Sequence, residues 1–185
     1  MSQKKKLLLL TRNSFESNLL INALKSIDEI SLNHVCFEEN FTGQMDLLVT
    51  KLKNFIKNKK YFTLLHFLIS IPIIHFLNKK TNYLQLKEWG DININKFTDI
   101  KFKIFKNFNS VDSANYIKRI QPDIIFVYGT RILSKSIFNL STDITINLHM
   151  GITQAYRGSR SEFWSILNKD FRNIGSTIHQ IDAGI

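Results

Sequence analysis

A run of four leucines near the start of the chain constrains the fold more than any other feature. Residues 7–10 are all leucine, and the chain turns polar at once from Thr11 to Glu16. A secretory signal needs an apolar stretch of about 7–15 residues, so this run is too short to be one. A short strand that is apolar at every position is typically buried on both faces of a parallel sheet. Residues 6–11 therefore predict the first strand of an α/β protein.

Strands and helices alternate along most of the chain that follows. Short apolar segments predict strands over 32–37, 100–105, 123–128, 143–149 and 175–182. Helical spacing of apolar residues predicts helices over 17–26, 110–120, 133–140 and 160–168. Ser17 or Asn18 is the predicted N-cap of the first helix. This alternation is typical of an α/β domain with a mostly parallel sheet.

Residues 41–98 interrupt the alternation and are predicted to form a helical insertion. Residues 43–60 carry apolar side chains at helical spacing among many lysines, and residues 62–77 predict a second, apolar helix. The apolar run falls short of the roughly 20 residues that a membrane span needs. A basic amphipathic helix can lie on an anionic membrane surface, or it can dock on the domain or on a second subunit. We therefore expect a cytoplasmic protein, with either peripheral membrane contact through residues 43–80 or a homodimer.

Several chemistries are excluded because the sequence lacks the residues for them. The first glycine is Gly43, so the first strand–helix turn has neither a G-x-G-x-x-G motif nor a P-loop. NAD oxidoreductases and P-loop NTPases are therefore excluded. A single cysteine, Cys36, allows no internal disulfide framework and fits a reducing compartment. The net charge of +10 attracts phosphates, but the enrichment in Lys extends to Asn, Ile and Phe. We therefore expect no nucleic-acid partner.

Two polar side chains lie at the carboxyl end of the predicted strand 143–149. Side chains alternate along a strand, so Asn147 and His149 point to the same side. Ligands of open α/β sheets bind in the crevice at this edge. An amide can donate to a developing oxyanion there, and an imidazole can shuttle a proton. Asp182 ends the next predicted strand and is a candidate to orient the imidazole, and His179 on that strand is a further candidate. Alternatively, Asn147 and His149 only satisfy backbone groups of the loop.

Four short motifs in the second half of the chain point to one family. They are an N-x-H at Asn147 and His149, a Y-R-G at Tyr156, Arg157 and Gly158, a D-x-G from Asp182, and a strand that runs from Pro122 into the turn 128–133. Together they resemble the formyltransferases that use 10-formyltetrahydrofolate, which act on methionyl-tRNA, glycinamide ribonucleotide or nucleotide sugars. The resemblance covers residues 100–185 and implies a Rossmann-like fold.

The resemblance implies a role for each motif. The family places an Asn, a His and an Asp at the formyl-transfer centre, which match Asn147, His149 and Asp182. The resemblance further implies substrate binding through Tyr156, Arg157 and Gly158, where Arg157 either anchors a phosphate or pins the loop. No metal is implied. The turn expected to line the pteridine pocket, mostly through its backbone and its two apolar side chains, consists of Tyr128, Gly129, Thr130, Arg131, Ile132 and Leu133.

Departures from the family pattern narrow the expected substrate. The first strand is not followed by the glycine-rich phosphate loop of the glycinamide ribonucleotide enzymes, and the extra C-terminal domain of the methionyl-tRNA enzymes is missing. The remaining expectation is a primary amine on a nucleotide-linked amino sugar. The family continues beyond Ile185 with a further strand and helix, so we expect a C-terminally short chain of weak activity. The alternatives are an enzyme like the methionyl-tRNA or glycinamide ribonucleotide formyltransferases, and a truncated, non-catalytic binding fragment.

Overall fold

In the computed structural model the chain divides into two compact units, Met1–Glu39 with Ile94–Ile185, and Asn40–Asn93. The structure describes residues 3–39, 53–59, 97–156, 158 and 161–182, together with positions 61–63, 65, 68–69, 72–73 and 76. In the second unit, residues 53–57 and the described positions from 61 to 76 are helical. The rest of the predicted insertion lies outside the described residues. Where the structure describes the chain, no helix is both long and apolar enough to cross a bilayer.

The first unit contains a single six-stranded sheet. Its strands are β1 (Lys5–Arg12), β2 (Ile30–Glu38), β3 (Lys101–Phe105), β4 (Ile124–Tyr128), β5 (Ile144–Met150) and β6 (Ser176–Gln180). The order across the sheet is β3-β2-β1-β4-β5-β6. The first five strands are parallel, and β6 runs antiparallel to β5. The helices are α1 (Phe15–Lys25), α2 (Val111–Ile120), α3 (Lys135–Phe138) and α4 (Ser161–Leu167). The structure thus confirms the prediction of a Rossmann-like, mostly parallel α/β fold.

The leucine run occupies the centre of this sheet, as its sequence predicts. β1 lies between β2 and β4, and Leu8, Leu9 and Leu10 are completely buried. Leu8 and Leu10 pack in a cluster with residues of α2 and α3, whereas Leu7 and Leu9 pack on the opposite face with residues of α1. Burying one leucine contributes about 1.5–3 kcal/mol, so this strand anchors both layers of helices.

Helix α1 begins earlier than the sequence predicts. The N-cap is Ser14, whose Oγ accepts a hydrogen bond from the Ser17 backbone N at 3.3 Å. Ser17, one of the two predicted caps, is instead buried in the first turn, where its Oγ lies 2.7 Å from Oγ1 of Thr11. Ser14, Ser17 and Asn18 all carry side chains that can cap a helix. The prediction of Ser17 or Asn18 was wrong because Thr11, near the end of β1, contacts Ser17 and leaves Ser14 as the cap.

The strand order places a crevice between β1 and β4. The strand order reverses there. From β1 the chain first adds β2 and β3 on one side of the sheet, and it then crosses back to add β4 and β5 on the other side of β1. In open α/β sheets, ligands bind outside the carboxyl ends of the strands at such a reversal. In this chain those ends are Arg12 on β1 and Tyr128 on β4, and β5 lies next to β4.

Candidate active site

Asn147 and His149 lie on the same face of β5. Ile146 and Leu148, which alternate with them, pack in the cluster on the α1 side of the sheet. The side chains of Asn147 and His149 therefore point to the opposite face, where α2 and α3 lie. Asn147 is paired with Val127 of β4 on one side and with His179 of β6 on the other. Both side chains are half-buried.

Hydrogen bonds to His179 fix the orientation of the Asn147 amide. Nδ1 of His179 lies 3.0 Å from the Gln180 carbonyl oxygen, which can only accept, so Nδ1 carries the proton. Nε2 of His179 is then an acceptor, and Nδ2 of Asn147 donates to it at 3.2 Å. The amide nitrogen has a second N–H that this bond does not use. The arrangement therefore fixes the side of Asn147 that donates hydrogen bonds and leaves it one further donor.

His149 has a buried ring nitrogen without a protein partner. Nδ1 of His149 is inaccessible to solvent and makes no hydrogen bond in the described structure. Buried polar atoms of native proteins almost always have a partner, so an exception calls for a functional explanation. Within the described residues, the neighbour across the strand pair is Thr177, whose Oγ1 donates to the Gly151 carbonyl at 2.8 Å instead. Because Nδ1 is closed to solvent, a bound molecule can reach only the other parts of this half-buried ring.

The structure does not bring Asp182 to His149, which corrects the role expected for it. β6 is antiparallel to β5, with Thr177 opposite His149 and Gln180 opposite Ile146. The backbone N of Ile181 still bonds to the Thr145 carbonyl at 2.9 Å. Ile181 is four residues beyond Thr177, or about 13 Å along the strand at ~3.3 Å per residue. Asp182 therefore leaves the sheet near the amino end of β5, and its carboxylate cannot orient the His149 imidazole.

The loop 129–134 follows β4 at the same edge of the sheet. Gly129 has φ +65°, and a Cβ there would lie 3.4 Å from Nη2 of Arg12. The Arg12 guanidinium thus lies over this glycine, across the crevice between β1 and β4. Ile132 is 85% exposed, whereas Leu133 is only 7% exposed and packs in the core cluster of α2 and α3. Leu133 therefore anchors the loop, and Ile132 is the apolar side chain that the loop presents to solvent.

The Y-R-G motif belongs to the loop that leads into α4. The Tyr156 hydroxyl donates to Oδ2 of Asp170 at 3.1 Å, and Oγ of Ser161 donates to the Gly158 carbonyl at 2.8 Å. Both contacts fasten the loop to α4 and to the segment after it. Arg157 lies outside the described residues, so the expectation of a phosphate anchor there stays a prediction.

Two residues of this edge, Glu38 and Arg12, are not predictable from the sequence motifs. Glu38, the last residue of β2, is 3% exposed and accepts hydrogen bonds from the loops that follow β3 and β4. The only signal in the sequence is a charged residue that directly follows the apolar segment of β2. Tyr128 is the last residue of β4, and its burial, reinforced by Glu16 and opposed by Arg12, raises the pKa of its hydroxyl. In the described parts of the chain, no three His, Cys, Asp or Glu side chains cluster as metal ligands would.

Sequence comparison relates part of the chain to known proteins. The bifunctional polymyxin resistance protein ArnA of Wigglesworthia glossinidia brevipalpis is 32% identical over 81 residues, which are 43% of this chain and 12% of that protein. The methionyl-tRNA formyltransferase of Clostridium acetobutylicum is 32% identical over 87 residues, which are 46% of this chain and 26% of that enzyme. The chain thus matches only a small part of the length of these relatives. No family model matches it.

Solved structures share the fold. A 4-N formyltransferase from Francisella tularensis superimposes with a TM-score of 0.51 at 18% identity, over 98% of this chain and 52% of that enzyme. Glycinamide ribonucleotide transformylase 1 from Symbiobacterium toebii gives a TM-score of 0.56 at 11% identity, over 100% of this chain and 69% of the other. Because the sequence identities are low, these superpositions show that the fold is shared and do not show a shared function. Part of the chain is thus similar in sequence to a methionyl-tRNA formyltransferase, and the chain shares the fold of these solved transformylases.

Proposed function

We propose that the chain transfers a formyl group from 10-formyltetrahydrofolate to a primary amine. The observation that carries the proposal is the half-buried pair Asn147 and His149 on one face of β5, with the Asn147 amide oriented by His179. Formyl transfer needs an oxyanion donor next to a group that moves a proton. The similarity of part of the chain to a methionyl-tRNA formyltransferase and the shared fold support this reaction class.

The proposed chemistry assigns one task to each side chain. The amine nitrogen attacks the formyl carbon, and the formyl oxygen gains negative charge as the new C–N bond forms. The second N–H of Asn147 donates to that oxygen, which stabilises the tetrahedral intermediate. His149 takes a proton from the attacking nitrogen and delivers it to N10 of the folate as the C–N10 bond breaks. The products are the N-formylated amine and tetrahydrofolate.

The loop 129–134 is the proposed binding surface for the flat ring of the formyl donor. The exposed Ile132 offers an apolar surface, and the loop lies at the crevice beside Arg12. Leu133 is buried in the core and can contribute only its backbone. This revises the expectation that both apolar side chains line the pocket.

For the acceptor we propose a nucleotide-linked amino sugar. The turn between β1 and α1 contains no glycine that would let a backbone loop wrap a phosphate, and it carries the Arg12 guanidinium at the crevice instead. The second candidate is methionyl-tRNA, because one of the relatives is a methionyl-tRNA formyltransferase. Both acceptors present a primary amine near phosphate groups, so only a direct comparison separates them.

The test is formyl transfer by the full chain with 10-formyltetrahydrofolate and three acceptors: an amino-sugar nucleotide, methionyl-tRNA and glycinamide ribonucleotide. Mass spectrometry identifies the formylated product. Asn147→Ala and His149→Ala should each lower turnover at least about 100-fold. The matched control is His34→Ala, because His34 lies on β2, three strands or about 14 Å from β5. Turnover of the Asn147 and His149 variants close to that of the control refutes the proposal.

A further inference from the structure

Two side chains tie the loop 129–134 to the loop that follows β3. They are Glu38, at the end of β2, and Asn109, in the loop 106–110. We call these two side chains and their bonds to the loop 129–134 the loop bracket. It joins the ends of β2, β3 and β4 at the carboxyl edge of the sheet, where β1 lies between β2 and β4.

Glu38 makes the buried half of the bracket. Its Oε1 accepts from the Phe108 backbone N at 3.1 Å, and its Oε2 accepts from the Arg131 backbone N at 3.4 Å. Nε of Arg131 lies 3.5 Å from Oε1, and Nη2 of Arg131 donates to the Lys106 carbonyl at 3.4 Å. Burying a carboxylate is costly unless hydrogen bonds and a cation compensate it. Here the compensating groups all come from the two loops, so the carboxylate holds them together.

Asn109 makes the exposed half of the bracket. Its Oδ1 accepts from the Ser134 backbone N at 2.8 Å, and its Nδ2 donates to the Ile132 carbonyl at 3.0 Å. With the Arg131 amide bound to Glu38 and the Leu133 side chain in the core, four consecutive residues of the loop are fixed. Such a loop binds a ligand without first losing conformational freedom, which increases affinity.

We infer that the loop bracket presets the loop 129–134 for the formyl donor, so that Glu38 and Asn109 are positioning residues that control donor affinity. This inference rests on the proposed function. Neither residue lies on β5, where the proposed transfer groups Asn147 and His149 are located. Loosening the bracket therefore weakens donor binding and leaves the transfer step itself unchanged.

The test compares KM for 10-formyltetrahydrofolate and kcat in two pairs of variants of the full chain. Glu38→Gln removes the charge that pairs with Arg131 and turns an acceptor into a donor. Its control is Glu39→Gln, since Glu39 is exposed and its backbone N, unaffected by the change, bonds to the Phe105 carbonyl. Asn109→Ala removes both loop bonds, and its control is Asn115→Ala on the exposed surface of α2.

We expect KM for the donor to rise about 10-fold or more in Glu38→Gln, equivalent to about 1.4 kcal/mol, and roughly threefold or more in Asn109→Ala. kcat should stay within about twofold, and both controls should match the unaltered chain. A fall in kcat at unchanged KM, or unchanged KM in both bracket variants, overturns the inference. If Glu38→Gln does not fold, Asn109→Ala decides alone, because Asn109 is exposed.

Hydrogen exchange supplies a readout that does not depend on activity. Replacing one carboxylate oxygen by an NH2 group should speed exchange of either the Phe108 or the Arg131 amide in Glu38→Gln, and loss of Asn109 should speed exchange of the Ser134 amide. Unchanged exchange at these amides shows that the bracket does not hold the loop. If the unaltered chain binds no donor, the proposed function fails and the inference fails with it. If the unaltered chain and both bracket variants bind the donor equally, only the inference fails.

Discussion

Gly151, the first residue after β5, is predicted to tolerate no side chain. Its φ is +117°, and its backbone N donates to the Gly175 carbonyl at 2.7 Å. A Cβ at this position would lie 2.2 Å from Cβ and 2.9 Å from Oγ of Ser161. Ser161 is 1% exposed and begins α4, and its Oγ is bound to the Gly158 carbonyl, so it cannot move aside without moving the helix.

The cost of Gly151→Ala has two parts that can be measured separately. Backbone strain for a non-glycine residue at such a φ is about 1–3 kcal/mol, and forcing a methyl group into filled space adds about 1–3 kcal/mol. We therefore expect a loss of about 2–6 kcal/mol in the free energy of unfolding. Gly158→Ala is the control, because Gly158 has φ +92° but, among the described residues, no atom within 4 Å of the added Cβ. In that variant the free energy of unfolding should fall only by the cost of the backbone strain, about 1–3 kcal/mol.

Urea unfolding followed by circular dichroism measures these free energies. The double variant Gly151→Ala with Ser161→Gly removes the atom that the new methyl group meets. A double-mutant cycle should then show a favourable coupling of about 1–3 kcal/mol. The reasoning is refuted if Gly151→Ala costs no more than Gly158→Ala, or if Ser161→Gly gives no coupling.

The remaining predictions concern three titratable groups. Burial, followed by the charge of Lys101, lowers the pKa of His34; the unfolded chain therefore binds the proton first, so stability should fall as pH drops below about 6.5. His34→Gln should remove that part of the slope in urea unfolding at pH 5.5 and 7.5, and an unchanged slope contradicts the assignment. Burial raises the pKa of the Cys36 thiol to about 12, so a disulfide reagent at pH 8 should label it only after unfolding, and rapid labelling of the folded chain would show that the thiol is accessible. Asp182→Asn should change formyl transfer less than about threefold, against the ~100-fold loss expected for His149→Ala; comparable losses would restore a catalytic role for Asp182.

Features that depend on neighbouring residues are predictable from this sequence. Four consecutive leucines specify a strand buried on both faces whatever its partners are, and Leu8, Leu9 and Leu10 are fully buried. The period of two along a strand likewise places Asn147 and His149 on one face, and the register of β5 agrees. Both conclusions follow from local geometry, which a short segment determines by itself.

Features that depend on distant residues were not predictable. Glu38 accepts its hydrogen bonds from residues 70 and 93 positions further along the chain. Nothing near Glu38 in the sequence distinguishes it from the exposed Glu39 beside it, and only the strand order brings the loops after β3 and β4 to its carboxylate. The start of α1 shows the same limit on a smaller scale, because Thr11 of β1 selects Ser17 as a buried partner and leaves the cap to Ser14.

The position of Asp182 depends on the direction of β6 along its neighbour β5. The length of the connection does not set that direction, because residues 129–143 make β5 parallel to β4, whereas the longer stretch 151–175 leads into an antiparallel strand. The segments on either side of α4 are in contact, since the Gly151 N bonds to the Gly175 carbonyl and the Thr153 N bonds to Oγ1 of Thr177. The chain therefore enters β6 at the edge where it left β5 and runs away from His149. A motif that orders Asn147, His149 and Asp182 along the sequence thus does not bring them together in space, because the last of them lies at the far end of an antiparallel strand.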